Sequence, residues 1–302
     1  MKFSDLIGQE KALNRLTLLV TQNKVPSTLL FHGPEGVGKK TAALLLAQTI
    51  LCEQHPREAR GASQACGVCP SCLRTDRGNH PNLRLLLPEG TSHKIETVRE
   101  ILRQISLKPY GEGCLIIIID QAEKLTEAAA NALLKTLEEP PPAVLFILVT
   151  AAPGLLPATI LSRCQKVPFQ PLSEDWVQKK LTDDGLPQEE ASLIAKASHG
   201  SLGTAQNLAV TLHDQELSLG QFFSRFPHFT AREVTQWTEK IAKDPETTNT
   251  FLLLLRHCLR EKLLEGKSRF SVWNAVDEAE RAIQGHSPRN LTLEVLLHRI
   301  TR

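Results

Sequence analysis

The sequence contains no long hydrophobic run, no internal repeat and no low-complexity segment. Its apolar stretches, such as Leu115–Ile119, are far shorter than the roughly 20 apolar residues that a membrane-spanning helix needs. The first residues, MKFSDLIGQE, lack the apolar region that follows the basic residues of a secretory signal. These absences argue against a membrane or secreted protein and predict a cytoplasmic one.

A large excess of either charge sign is also absent. The 35 Lys and Arg residues and the 33 Asp and Glu residues leave a net charge of +2. This balance neither favours nor excludes nucleic acid, so any DNA contact would need a local basic patch or partner subunits. Contents of 41% hydrophobic and 23% charged residues are typical of a soluble globular protein, and 302 residues suffice for two or three domains.

The strongest local pattern is a glycine-rich loop between a strand and a helix. A β-favouring segment, Leu29–Phe31, leads into Gly33, Gly36, Gly38 and Lys39, and a helical pattern begins near Lys39. This order is typical of a phosphate-binding loop, in which backbone N–H groups and a helix N-terminus point at one anion. The sequence therefore predicts a nucleotide-binding type of loop, with Lys39 directed to the outer phosphates.

The end of this loop departs from the motif. A Ser or Thr normally follows the lysine and holds Mg²⁺, but this chain has Lys40, with Thr41 one position later. One position along a helix is a rotation of about 100°, so Thr41 is not expected to substitute. Whether ATP or ADP binds, with or without Mg²⁺, is left open.

A segment rich in Cys, Arg, Gly and Pro, residues 52–81, follows the loop helix. Cys66, Cys69 and Cys72 are spaced by three, and Cys52 lies upstream. Four thiolates at CxxC spacing are typical of a closed, structural zinc site. The alternative is buried free thiols, which pack as small hydrophobic groups. We assign this packing role to the three isolated cysteines: Cys114, Cys164 and Cys258.

Three further segments predict strands. They are Leu83–Leu87, the continuous apolar run Cys114–Ile119, which suits a parallel strand buried on both faces, and the buried run Val144–Thr150. Asp120 ends the second of them, where α/β sheets bind ligands and where phosphate-loop proteins anchor Mg²⁺. The alternative for Asp120 is an ordinary turn-capping role.

Beyond Pro171 the pattern becomes entirely helical. The expected helices are Leu172–Leu181, Pro187–Ala197, Ser201–Leu208, Phe222–Phe226, Ala231–Ala242, Thr248–Leu264, Ser271–Gln284 and Leu291–Ile300. We therefore predict an α/β domain over residues 1–170, a small helical domain over 171–210 and an all-α domain over 211–302.

Several motifs together resemble the bacterial DNA polymerase III clamp-loader family of AAA+ proteins, over at least residues 1–210. They are LIGQ at 6–9, GPEGVGK at 33–39, the four cysteines, IIIIDQAEKLT at 116–126, NALLKTLEEPP at 131–141 and ILSRC at 160–164. The resemblance implies an AAA+ core with a parallel sheet and a zinc-binding insert. A helical lid and an all-α C-terminal collar that mediates oligomerisation would follow.

Four departures separate the chain from the family's motor subunits, gamma and tau. Lys40 replaces Thr, Gln121 replaces the Glu that polarises the attacking water, Ala151 takes the sensor position and Gly203 replaces the lid arginine. Arg163 of the SRC motif is retained, as an arginine finger that would act in a neighbouring subunit or, alternatively, as a surface salt bridge. This pattern resembles the delta-prime branch of the family.

The resemblance implies a rigid stator of the DNA polymerase III holoenzyme with absent or very weak ATPase activity of its own. Its partners would be the gamma/tau and delta subunits, with the sliding clamp and primed DNA reached through the complex. Two alternatives remain: an ATP-hydrolysing motor subunit with a variant loop, and a zinc-dependent DNA-binding module. The latter is disfavoured because residues 52–81 contain no aromatic residue.

Overall fold

A computed structural model describes residue 6 and residues 8–54, 64–90, 92–105, 113–214, 222, 228–264, 270–285 and 287–300. The chain divides into two compact units, Met1–Pro171 and Leu172–Arg302, which are treated separately below.

The first unit alternates strands and helices. Its elements are α1 (Glu10–Thr21), β1 (Thr28–His32), α2 (Lys39–Leu51), α3 (Pro70–Asp76), β2 (Leu83–Leu86), α4 (Ile95–Ile105), β3 (Leu115–Ile119), α5 (Glu127–Glu138), β4 (Val144–Thr150), α6 (Ala158–Leu161) and β5 (Gln165–Pro168).

The strands form one five-stranded sheet in the order β2-β3-β4-β1-β5, and all its pairings are parallel. The parallel α/β fold predicted from the apolar runs is thus confirmed. The edge strand β5 was not predicted. Only one of its four residues, Val167, is buried, so it gives no apolar run.

Helices cover both faces of this sheet. On one face, side chains such as Ile116 and Ile118 pack with α1 and α2; on the other, Ile117 and Ile119 pack with α4 and α5. Because successive side chains of a strand point to opposite faces, this double coverage explains why β3 is apolar at every position. Burial of each such side chain contributes about 1.5–3 kcal/mol.

The second unit consists of helices in its described part. They are α7 (Glu174–Asp183), α8 (Gln188–Ala197), α9 (Leu202–Asp214), α10 (Ala231–Ile241), α11 (Pro245–Leu264), α12 (Phe270–Gln284) and α13 (Arg289–Ile300). One buried cluster draws on all seven helices, with Phe222 and Phe251 fully buried in edge-to-face contact.

Seven of the eight predicted helices are present. Helix α11 begins at Pro245, three residues before the prediction, because the side chain of Asp244 accepts the N–H and the hydroxyl of Thr247 at 2.8 and 2.6 Å. Of the predicted helix Phe222–Phe226, residues 223–226 lie outside the described residues. A division of this unit into lid and collar stays a prediction. In the described part of the chain, no helix is long and apolar enough to span a membrane.

Candidate functional site

The glycine loop connects the C-terminal end of β1 to the N-terminus of α2. Gly33, Gly36 and Gly38 all have positive φ, at 147°, 68° and 94°. A Cβ on Gly33 would collide with the backbone carbonyl of Phe169, and one on Gly38 would collide with Leu6. The tight loop that the sequence predicts is therefore present, and two of its glycines are required by space as well as by backbone conformation.

Lys39 is the first residue of α2 and is only 6% exposed. Its ammonium donates to the carbonyl of Gly33 at 2.8 Å and also to that of Pro34. Burial lowers the pKa of Lys39, while the Glu123 carboxylate opposes that shift. The lysine of the motif therefore stabilises the loop through hydrogen bonds to two of its backbone carbonyls.

Asp120 follows β3 and is 8% exposed, at the same edge of the sheet as the glycine loop. Its carboxylate is paired with Lys40, with Nζ lying 3.2 Å from Oδ2. His93 fixes the backbone here, since its Nε2 lies 2.7 Å from the Asp120 carbonyl oxygen and must donate to it. The sequence predicted Asp120 as a magnesium anchor; the structure gives it an ammonium partner from the loop helix. Thr41, which follows Lys40 in the loop helix, is half-buried.

Two side chains after Asp120 bear on hydrolysis. Gln121 has a left-handed backbone, φ 51°, and its Oε1 is buried with no hydrogen-bond partner among the described residues. Glu123 lies two residues further along, and its Oε1 accepts the N–H of Ala151 at 3.3 Å. Sequence reasoning missed Glu123, although a carboxylate three positions after Asp120 could have signalled it.

Arg163 precedes β5, and its guanidinium is held by its own chain. Nη2 is paired with Glu138 at the end of α5, while Nη1 donates to the carbonyl of Thr159 at 2.7 Å and to Ser162 Oγ at 3.3 Å. The arginine and glutamate side chains are 28% and 48% exposed. The partner Glu138 belongs to the LEEPP segment, to which the sequence gave no side-chain role.

The four cysteines form one cluster. Their Sγ atoms all lie within 4.8 Å of one another, with Cys52–Cys69 at 4.0 Å and Cys66–Cys72 at 3.9 Å. Four sulfurs in a tetrahedron at about 2.3 Å from a zinc ion would be about 3.8 Å apart. These separations are far too long for disulfides. The donor set and its spacing therefore fit a tetrahedral metal ion.

The electrostatics of the cluster also suit a cation. The N–H groups of Val68 and Cys69 lower the pKa of the Cys66 thiol to about 6. Burial instead raises the pKa of Cys52 and of Cys72. A cation at the centre would be needed to hold all four sulfurs as thiolates.

The cysteine cluster is tied to the loop helix α2. Gln48 of that helix donates to the carbonyl of Cys72 at 3.2 Å and to Asp76 at 2.8 Å. Ser71 donates to the carbonyl of Leu51, at the end of the same helix, at 2.5 Å. The segment is therefore anchored to the helix that begins at the phosphate loop.

The sheet order, the glycine loop after β1 and the acidic residue after β3 define a phosphate-loop protein of the AAA+ type. Residues 8–173 match the family model described as "DNA polymerase III, delta subunit". The chain therefore belongs to the family of DNA polymerase III clamp-loader subunits, which confirms the resemblance inferred from its motifs.

Individual relatives come from both branches of this family. The chain is 34% identical to DNA polymerase III subunit delta' of Bacillus subtilis, over 63% of this chain and 56% of that protein. It is 34% identical to DNA polymerase III subunit tau/gamma of Haemophilus influenzae, over 72% of this chain and 31% of that protein. The match thus spans about a third to just over half of these relatives.

A solved structure has a similar fold. It is a DNA polymerase III gamma subunit-related protein from Thermotoga maritima, 20% identical, with a TM-score of 0.52 over 96% of this chain and 100% of that one. This likeness concerns the fold alone.

Proposed function

We propose that the chain is a delta-prime-type subunit of a DNA polymerase III clamp loader, a stator that helps to load the sliding clamp onto primed DNA. The observation that carries the proposal is the pairing of Asp120 with Lys40, 3.2 Å apart. An ammonium on the carboxylate that anchors Mg²⁺ in phosphate-loop enzymes opposes metal binding, and phosphoryl transfer depends on that metal. The chain's own site is therefore suited to holding phosphate and poorly suited to hydrolysing it.

The groups around Asp120 support the same conclusion. A general base must be able to accept a proton, and Gln121 carries an amide at the position where the motors have a glutamate. Glu123 is the nearby carboxylate; its Oε1 accepts the N–H of Ala151, and its Oε2 is buried with no hydrogen-bond partner among the described residues. We expect the loop to retain weak phosphate binding with absent or very weak turnover.

Arg163 gives the proposed stator a catalytic contribution to its neighbour. A guanidinium that enters an adjacent nucleotide site can stabilise the charge on the transferring phosphoryl group. The partners of this subunit would be gamma/tau and delta in a cytoplasmic hetero-oligomer. The second unit would supply a lid over residues 171–210 and a collar over 211–302.

Zinc is the metal proposed for the cysteine cluster. Four thiolates without an open position suit a structural Zn²⁺ ion, which contributes folding free energy and no chemistry of its own. The cysteines would hold the segment closed against α2, through the contacts of Gln48 and Ser71.

The alternative function is an ATP-hydrolysing motor of the gamma/tau type. The 34% identity to a tau/gamma subunit is the observation that supports this alternative. A motor subunit would hydrolyse ATP as an isolated chain or as a homo-oligomer, whereas a stator would not.

The test is co-purification combined with ATP turnover. The purified chain should form a stable complex with the gamma/tau and delta proteins of the same cell, and alone it should show no ATPase activity above background. Motor-like turnover that Lys39→Ala abolishes would overturn the stator assignment. A chain that joins neither protein would overturn the clamp-loader function.

A further inference from the structure

The carboxylate of Asp120 and the ammonium of Lys40 form an ion pair at the mouth of the phosphate loop, 3.2 Å apart. The Asp120 side chain is 12% exposed and that of Lys40 is 40% exposed. The Asp120 side chain is thus largely covered, while that of Lys40 is more open to solvent. Lys40 belongs to the first turn of α2, whose N-terminal N–H groups border the loop.

Magnesium fits these residues poorly. The ion requires near-octahedral oxygen ligands at about 2.0–2.1 Å, and phosphate-loop proteins supply them from the hydroxyl after the loop lysine and from the acidic residue. Here the hydroxyl position carries a positive charge that already pairs with the acidic residue. A divalent cation at Asp120 would have to displace Lys40 and then remain beside it.

Lys40 can do part of what the metal does. An ammonium has three N–H donors and no acceptor. The Asp120 contact uses one of them, which leaves others for a phosphate oxygen. Lys39 cannot take this role without leaving the carbonyls of Gly33 and Pro34, to which it donates.

We infer that Lys40 replaces the magnesium ion of this site, so that the loop binds the phosphates of a nucleotide free of metal. This inference rests on the proposed retention of phosphate binding by the loop. Two consequences follow: removal of divalent cations leaves binding intact, and restoration of the hydroxyl restores the metal requirement.

The experiment is a calorimetric titration of the full chain with ADP, once with excess Mg²⁺ and once with EDTA. We expect the wild-type chain to bind ADP at least as tightly in EDTA as with excess Mg²⁺, because the loop takes metal-free ADP and Mg²⁺ in solution competes with it for the nucleotide. Lys40→Thr should bind weakly in EDTA and at least tenfold more tightly with Mg²⁺. Substituting Mn²⁺ for Mg²⁺ should give a protein-bound Mn²⁺ signal by electron paramagnetic resonance with Lys40→Thr and ADP, and none with the wild type.

Lys180→Thr is the matched control. Lys180 is also 40% exposed and pairs with an aspartate, Asp184, at 2.6 Å, but it lies on α7 of the second unit. This variant should titrate as the wild type does in both buffers. Circular dichroism melting of all three proteins shows whether each is folded at the titration temperature.

Three outcomes would overturn the inference. The first is that wild-type binding of ADP strengthens tenfold with Mg²⁺. The second is that the ADP affinities of Lys40→Thr and of the wild type respond alike to the metal. The third is that the wild type binds no ADP in either buffer. The proposed function fails differently, through a wild-type chain that does not assemble with gamma/tau and delta. A chain that assembles with these subunits but requires Mg²⁺ to bind ADP would overturn only the inference that Lys40 replaces the metal.

Discussion

Removal of the Arg163 guanidinium tests whether the subunit contributes to catalysis in its neighbour. The perturbation is Arg163→Ala in the reconstituted loader. An arginine finger contributes a factor of about 10³–10⁵ in rate, which corresponds to about 4–7 kcal/mol of barrier at the site that it serves. The other motor sites continue, so total ATP turnover should fall partially, and clamp loading should fall more.

The structural role of Arg163 predicts a much smaller effect. Its ion pair with Glu138 joins side chains that are 28% and 48% exposed. Pairs of this kind contribute about 0.2–1 kcal/mol to stability. For a unit of this size, that corresponds to a change of at most about 4 °C in melting temperature. The catalytic and structural roles therefore differ by several kcal/mol and are separable.

The assay combines size-exclusion chromatography of the complex, steady-state ATPase activity and clamp loading. Arg163→Lys should not rescue the loss, because an ammonium lacks the planar arrangement of donors that binds two phosphate oxygens. Arg103→Ala is the control, since Arg103 also pairs with a glutamate, Glu100 at 3.3 Å, and is 76% exposed. An Arg163→Ala loader that assembles, hydrolyses ATP and loads clamps as the wild type does would refute the catalytic role.

Two further predictions concern the metal site and the loop. The chain should contain about one Zn²⁺ by elemental analysis. Cys69→Ser should lower this zinc content and expose the remaining cluster thiols to titration while the sheet stays folded. A folded, metal-free wild-type chain with freely titratable cluster thiols would disprove the zinc site. Gly33→Ala should destabilise the first unit by about 1–3 kcal/mol in urea unfolding, because the new methyl group meets the Phe169 carbonyl at a φ of 147°. Gly154→Ala, where nothing lies within 4 Å, should leave stability nearly unchanged; equal effects of the two substitutions would contradict the steric argument.

The features predictable from sequence are those that short-range patterns encode. Strands β3 and β4 are buried at every position, and that requirement produces uninterrupted apolar runs. The glycine loop and the CxxC spacing are equally local, because each is set by backbone geometry within a few residues. The family resemblance combined such motifs and was confirmed by the match over residues 8–173.

The features that escaped prediction depend on distant residues or lack a repeating pattern. Strand β5 is a short edge strand whose pairing with β1 is visible only once the sheet is assembled. Helix α3 has only seven residues and begins at Pro70, with the Cys69 sulfur capping its N-terminus. The Lys40–Asp120 pair joins residues that adjoin only because the sheet brings the ends of β1 and β3 to one edge. From sequence, Lys40 indicated only the loss of a hydroxyl.

Three charged groups of the first unit share a pattern that bears on the stator hypothesis. Asp120 is paired with Lys40, Glu123 accepts a backbone N–H, and Arg163 is paired with Glu138. Each of these three groups therefore has an internal partner without nucleotide or metal, although Glu123 Oε2 and Arg163 Nε have no hydrogen-bond partner among the described residues. Since a conformational change follows a ligand only through differential affinity for two states, a site ordered in this way gives nucleotide little to change. This argument supports the proposed stator, which would keep one conformation while its neighbours cycle, and on that proposal Arg163 would exchange Glu138 for a neighbour's phosphate.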